Sequence, residues 1–363
     1  MTSGRTHGTS AAEAAPTPAS PASPASPATP VGPERGTARA GVDHVPPGGA
    51  AGVILALTIL IGLVLTAFAL PAVNSEPRGV PIGVAGPAPV VEQLSGALAA
   101  QASEAFDVSA FPDEAGLAEA IRDREVYGGI AVGPSGPTML TAPAASPAVA
   151  QGLSSLAAQL GQQQGQAVPV TEVVSLPPDD SRGAGLATAL LPLFIGAIAP
   201  VLAMNRVVRG AWAQLAGVLS AAVVLGAALA GLLHWYGVFE GNWLLEAAAM
   251  AAVIAAMSAP LLGLLLVAGL PGLGLGAAVF LLVGNPLSGL ATAPEFLAEP
   301  WRTIGAWLPP GAGGQLLRSS AYFDGAGAVP HLVVLGAWLV VGVLLVALSA
   351  RTIGAGARHP ATA

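Results

Sequence analysis

The apolar residues of this 363-residue chain are unevenly distributed, and their distribution restricts the fold more than any motif does. One apolar run stands alone at 52–71. Residues 72–184 are mostly water-compatible, and further apolar runs then crowd 185–350. A bilayer is crossed by about 20 apolar residues at a rise of about 1.5 Å each, and these runs reach that length. A lone anchor, a large soluble insert and a helical cluster are the layout of an integral membrane protein with one exported domain.

Composition sharpens what such a protein can do. The chain is 53% hydrophobic and 9% charged, against about 25% charged in soluble domains. It has no cysteine, which excludes disulfides, thiolate chemistry and cysteine metal sites. It has no lysine either; all 13 basic residues are arginine. The Walker phosphate loop needs Gly-Lys-Ser/Thr and is therefore excluded, as is Schiff-base chemistry. Any ATP-driven work must draw on an ATPase in another chain. Residues 74–182 carry 12 Asp/Glu against 4 Arg, so this segment is acidic and offers no footprint for nucleic acid.

The boundaries follow from local composition. Residues 1–50 are expected to be a disordered cytoplasmic tail. Repeats such as Pro21-Ala22-Ser23-Pro24-Ala25-Ser26 have nothing to bury against their ordering entropy. Residues 51–73 hold the first transmembrane helix, with Val53, Ile54, Leu55, Leu57, Ile59 and Leu60 leading to Pro71. The long leader and the uninterrupted run favour an uncleaved anchor over a signal peptide. Residues 74–182 are expected to form an extracytoplasmic α/β domain between the first and second transmembrane helices. Strands are expected at 80–85, 105–111, 126–132, 138–141 and 168–176, and helices at 91–105, 114–125 and 147–164. The Gly133-Pro134-Ser135-Gly136-Pro137 stretch is a turn by composition.

Five more runs follow at 185–204, 212–234, 244–268, 273–291 and 332–350. Residues 183–350 are thus expected to be a five-helix bundle, giving about six transmembrane helices in all. The 273–291 run is interrupted by Gly274, Gly276, Gly284 and Pro286, so a re-entrant form stays open. Arg206 and Arg209 in a short loop, with Arg35, Arg39, Arg351 and Arg358, place both termini and the 351–363 tail in the cytoplasm. The acidic domain is then outside a multi-pass plasma-membrane protein. Residues 291–330 are rich in Pro and aromatics and are expected to form short helices lying at the outer interface.

No constellation announces an active site. His234 and Glu246 are polar groups at the ends of apolar runs, without an evident partner in sequence, and interfacial solvation is expected for both. The glycines of 269–276 do not follow a strand, so a dinucleotide site fails its context. Asp113, Glu114, Glu119, Asp123 and Glu125 interleave with Arg122 and Arg124, the pattern of a solvated helix face. Neither an enzyme nor a cofactor is expected.

A resemblance adds to this reading. Asn285-Pro286-Leu287-Ser288-Gly289, Pro294-Glu295-Phe296-Leu297, Trp307-Leu308-Pro309-Pro310-Gly311 and Leu317-Arg318 look like the late segment of ABC type-2 exporter permeases. Within the insert, Ala120-Ile121-Arg122-Asp123-Arg124-Glu125-Val126-Tyr127-Gly128-Gly129 resembles the long-insert, phage-infection-protein-like (Pip/YhgE-type) branch. The resemblance covers roughly 50–350. It implies a permease in membrane lipid, paired as a homodimer or heterodimer and driven by a separate ATP-binding-cassette ATPase. It marks Asn285, Pro286, Gly289, Pro294, Trp307, Pro309, Pro310 and Arg318 as a functional segment. The loop Asn205–Gly210 is thin for an ATPase to grip, which keeps a second expectation open: a membrane scaffold or receptor-like surface protein.

Overall fold

The computed structural model describes residues 51–356 apart from 53, 56, 57, 60, 63, 64, 67, 68, 70–75 and 103. The tail expected at 1–50, the Pro71 terminus of the first run and the chain beyond 356 lie outside the described residues. Where the first run is described it is helical, with Ile59, Ile61 and Leu65 exposed.

An α/β domain comes next. Its strands are β1 (Val80–Ala85), β2 (Phe106–Phe111), β3 (Gly128–Gly133), β4 (Gly136–Thr141) and β5 (Val170–Glu172). Its helices are α1 (Ala88–Ala102), α2 (Glu114–Arg122) and α3 (Pro147–Gln164). The sheet order is β2-β1-β3-β4-β5. β1 runs parallel to β2 and β3, β3 and β4 form an antiparallel hairpin, and β4 runs parallel to β5.

Strand alternation sends side chains to two covered faces. Val80, Ile82, Ile130 and Met139 pack with Val149 and Leu153 of α3. Ala85, Ala131 and Leu140 pack with Leu117 and Ile121 of α2. Asp113 caps α2 by accepting from Gly116 N at 2.8 Å, and Ser146 caps α3 ahead of Pro147. Gly83 and Gly129 are direct partners across β1 and β3, and a Cβ on Gly129 would run into the Gly83 backbone.

Several boundaries shift: α1 lies at Ala88–Ala102 and not 91–105, β3 begins at Gly128 and not 126, and β4 begins at Gly136, inside the expected turn. Two further differences have local reasons. α2 stops at Arg122 because Arg124 takes a left-handed φ of 63°, which no helix continues. β5 is only three residues, not the 168–176 expected. Pro169 lacks an N–H and serves only as an acceptor, for Met139 N at 2.8 Å.

The bundle contains α4 (Ala184–Val207), α5 (Ala211–Trp235), α6 (Trp243–Gly284) and α9 (Val329–Gly356). These are four helices long and apolar enough to cross a membrane, with mean hydropathy from 2.2 to 2.7. Of the six spans expected, two share α6 here and one is the first run. α6 breaks at Gly269, where φ is 68° and ψ is −157°. Its second arm folds back, since a Cβ on Gly276 would meet Leu261 and Leu264. In a straight helix Gly276 and Leu264 would stand about 18 Å apart.

The second arm ends at Gly284, short of the 291 expected. Val279–Gly284 is π-helical and Pro286 opens a 3₁₀ turn, Pro286–Ser288, where a helix would need the missing N–H. From Leu270 to Gly284 the arm covers about 22 Å, less than the roughly 30 Å of a hydrocarbon core.

Helix crossings are made by small residues, as lipid-embedded packing favours. Gly226 faces the Ala247 and Ala251 backbone, and Gly342 faces Ala259 and Pro260. Leu191, Val223, Val224, Val340 and Leu344 remain exposed on the outside of the bundle.

Two further helices, α7 (Trp301–Trp307) and α8 (Pro309–Tyr322), lie between α6 and α9. Residues 291–330 are expected as short helices lying at the outer interface, yet Pro309–Ala321 of α8 is buried at every position. Gly311, Gly313 and Gly314 explain this, because they admit the Gly305 carbonyl, Val253 and Leu290 at close range.

Candidate functional site at the domain junction

The segment from Leu290 to Phe323 joins the bundle to both faces of the sheet. Phe323 enters the core beneath α2, while Ala293 and Phe296 enter the core beneath α3. Hydrogen bonds follow the same seam. Arg78 N donates to Glu295 O at 3.0 Å, Ser146 Oγ to Thr292 O at 2.6 Å, and Tyr127 Oη to Glu295 Oε2 at 2.9 Å.

The centre of the seam is a pair of arginines. Arg124 sits just past α2, and its left-handed backbone turns the side chain toward α8. Its Nη2 donates to Gln315 Oε1 at 2.8 Å and its Nη1 to Gln315 O at 3.1 Å, with a further bond to Ser319 Oγ. Its guanidinium lies 5.4 Å from the Phe323 ring centroid. Arg318 projects from α8, donating Nη2 to Leu290 O at 2.7 Å and Nη1 to Gln315 Oε1 at 3.5 Å.

The α8 side of this cluster is buried. Arg318 is 3% exposed, Gln315 5% and Ser319 0%. Burial, then the neighbouring Arg318 guanidinium, pushes the Arg124 pKa down to about 10, so it remains a cation at neutral pH. Burial lowers Arg318 as well. Burial and the adjacent Glu295 hold the Tyr127 phenol above its usual range. The ion pairs among the described residues are Arg78–Glu76, Arg302–Glu299 and His234–Glu246, so neither junction arginine has a carboxylate partner there.

A cavity of about 280 Å³ opens beside this pair, lined by Arg124, Tyr127, Glu295, Gln315 and His331 among others. A second cavity of about 390 Å³, with Leu287, Ala306 and Trp307 in its lining, shares Pro294, Glu295, Gln315 and His331 with the first. Among the described residues no three His, Asp or Glu side chains converge as metal ligands would.

A second polar contact lies inside the bundle. His234 Nε2 near the end of α5 hydrogen-bonds Glu246 Oε2 in the first turn of α6. Glu246 is 0% exposed, and Phe239 stands edge-on to the imidazole. The expectation of two separate, solvated groups is therefore corrected. The hairpin between α5 and α6 brings together residues 12 apart in the chain.

The segment singled out in sequence is dispersed across the junction. Pro294 walls both cavities and Arg318 forms the buried pair. Gly289 holds a left-handed turn, φ 63°, with Pro294 packed against it. Asn285 and Pro310 line a separate 30 Å³ pocket facing α4, and Pro286 starts the turn after α6. Pro309 opens α8, and Trp307 O accepts from Trp338 Nε1 at 2.8 Å. Gln315, Ser319 and Glu295 were missed as site residues. Arg124 was assigned to a solvated helix face, whereas it is half-buried against α8. The one sequence signal for it was its place beside Val126-Tyr127-Gly128-Gly129.

No protein-family model, curated protein or solved structure matches the chain.

Proposed function

We propose that this chain is the permease subunit of an ABC-type exporter, powered by a separate ATPase and paired with a second permease chain in the plasma membrane. The observation that carries the reading is the layout. A soluble α/β domain stands between a lone apolar run and a helical bundle, and buried α8 ties the two together. In this reading the first run and the two arms of α6 bring the membrane elements to six. Both termini are cytoplasmic and residues 74–182 are outside. Motion of the α6 and α9 helices reaches the exported domain through α8 and the Arg124–Gln315 contact. The chain supplies no catalytic chemistry of its own.

Purification from the native host in mild detergent tests this. An ATP-binding-cassette subunit is expected to co-purify, with ATP hydrolysis only in its presence. A stable complex lacking any nucleotide-binding subunit, with transport intact in cells, overturns the reading.

One observation favours a scaffold or receptor-like protein instead. Only Val208, Arg209 and Gly210 separate α4 from α5, a small surface for an ATPase to push. Deleting residues 80–176 separates the two, since a scaffold loses all function while an exporter keeps some.

A further inference from the structure

Three buried oxygens meet where the loop between α5 and α6 crosses the end of α8. A Cβ on Gly241 would stand 2.9 Å from Glu246 Oε1, 2.9 Å from Ala321 O and 3.6 Å from Ser320 O. Glu246 Oε1 accepts no hydrogen bond; the Gly241 N–H faces the carboxylate without bonding this oxygen. The two carbonyls are in the same condition. α8 ends at Tyr322, so neither finds a donor within the helix, and the N–H groups of Phe323 and Gly325 both turn back to Ser319 O. Ser320 and Ala321 are buried, where a carbonyl without a donor is uncommon. The φ of Gly241 lies outside the left-handed region, so its backbone does not call for glycine. A side chain there would fill the space that the oxygens face.

Charge points the same way. The last carbonyls of a helix form the negative end of its dipole. Glu246 is fully buried, and the one group bonded to it is His234, through Oε2. Tyr322 on α8 and Asp180 ahead of α4 are the other titratable groups around it. Tyr322 is bonded to Val238 O, and Asp180 accepts from the Ala184 and Gly185 N–H groups. Arg318 acts on Tyr322 from a distance and donates to Leu290 O and Gln315. Glu240, beside Gly241, is exposed. One carboxylate and two carbonyls at a helix C-terminus are hard oxygen ligands suited to a singly charged cation. Among the described residues no further carboxylate converges there to balance a divalent ion.

We propose that Glu246, Ser320 and Ala321 form a site for a small monovalent cation, either a sodium ion held by the three oxygens or a proton carried by Glu246 and shared with the Ala321 carbonyl. The exposed stretch Glu240–Asn242 is the way in. The site lies at the end of the helix whose Gln315 and Ser319 hold Arg124, so occupancy stabilises the end of the element that docks the α/β domain. It stands independently of any ATPase partnership, and its test needs no ATPase.

The full chain in a neutral maltoside detergent is melted in sodium chloride and in choline chloride of equal ionic strength, and its infrared spectrum is recorded in both. A rise in melting temperature in sodium that saturates with concentration assigns sodium. A protonated-carboxyl band in choline at neutral pH, absent from Glu246→Gln, with no response to sodium, assigns the proton. Either supports the site.

Glu246→Gln guards against a folding artefact, because its amide keeps an acceptor for His234 and gives the carbonyls a donor. It is expected to melt at or above wild type in choline and to show neither signal. Gly241→Ala is expected to weaken a sodium response about tenfold or more, and Gly336→Ala, whose Cβ meets nothing within 4 Å, to leave it unchanged. An ionised Glu246 without a sodium response overturns the proposal, leaving Glu246 as no more than the ion-pair partner of His234. So does a Glu246→Gln variant that melts below wild type in choline or still responds to sodium, or a Gly241→Ala variant with wild-type sodium affinity.

Discussion

The Tyr127 hydroxyl donates to the Glu295 carboxylate at 2.9 Å, joining the start of β3 in the α/β domain to the 3₁₀ turn Pro294–Phe296 across 168 residues of chain. Tyr127 precedes the Gly128-Gly129 pair that lets β3 lie close to β1. Glu295 follows Pro294 in a 3₁₀ turn whose Phe296 enters the domain core. The same few residues therefore serve the sheet, the seam and the cavity.

Tyr127→Phe is expected to leave Glu295 without its donor, at a cost of about 1–3 kcal/mol. Glu295→Gln keeps an acceptor oxygen and is expected to cost less. Thermal unfolding in detergent measures both, and an unchanged melting temperature for Tyr127→Phe contradicts the seam described here.

Alkaline pH acts on the same contact. The folded pKa of Tyr127 is raised above its unfolded value near 10. Stability from the neutral phenol is therefore fully present below about pH 10 and is lost as pH rises through the folded value. Melting temperature is expected to fall in the alkaline range for wild type, and less steeply for Tyr127→Phe. Equal slopes count against a buried phenol.

Arg124 combines a left-handed backbone with a docked side chain. Arg124→Ala loses the contacts and keeps the strain. Arg124→Gly loses the contacts but relieves about 1 kcal/mol of backbone strain. The expected stability order is wild type, then Gly, then Ala. Hydrogen exchange across 315–326 reports the docking, and Ala matching Gly removes the case for strain.

Single changes at the His234–Glu246 pair are expected to be worse than the double change. His234→Leu leaves Glu246 buried and unpaired, at a cost of about 3–5 kcal/mol. His234→Leu with Glu246→Leu removes both polar groups and is expected to recover most of that. Expression and melting temperature in detergent decide it, and purely additive losses refute a buried pair.

Two glycines on α9 separate packing from composition. A Cβ at Gly342 would meet Ala259 and Pro260, while at Gly336 nothing lies within 4 Å. Gly342→Leu is expected to cost about 1–3 kcal/mol or more by overpacking, and Gly336→Leu close to nothing. Comparable losses at both positions, read as melting temperatures, would place the α6–α9 crossing elsewhere.

Much of the α/β domain was legible before any coordinates. The strand expected at 80–85 and the helix expected at 147–164 correspond to β1 and α3 at the expected bounds, because strand and helix signals such as the Ser146 cap and Pro147 are local. The long apolar helices α4, α5 and α9 were legible as apolar runs, whereas α6 reads as two separate runs. The candidate site was only partly so. Arg318 was flagged within a Pro- and Gly-rich segment, but its partners lie 28 residues upstream at Leu290 and across the seam from Arg124, which shares Gln315. Nothing in the interleaved charges around Arg124 distinguishes the one that turns inward. That depends on its left-handed φ and on α8 standing opposite.

The sequence by itself determined the classes of element, their order and the absence of lysine and cysteine chemistry, since hydrophobic period, turn residues and composition act within a few residues. The tertiary structure decided which polar groups meet. It folded α6 back at Gly269, buried α8 on every side and seated Phe323, Ala293 and Phe296 in the domain's cores. It thereby brought Arg124 and Arg318 together on Gln315. Burial and pairing depend on neighbours distant in the chain, and those neighbours are set by packing rather than by local pattern.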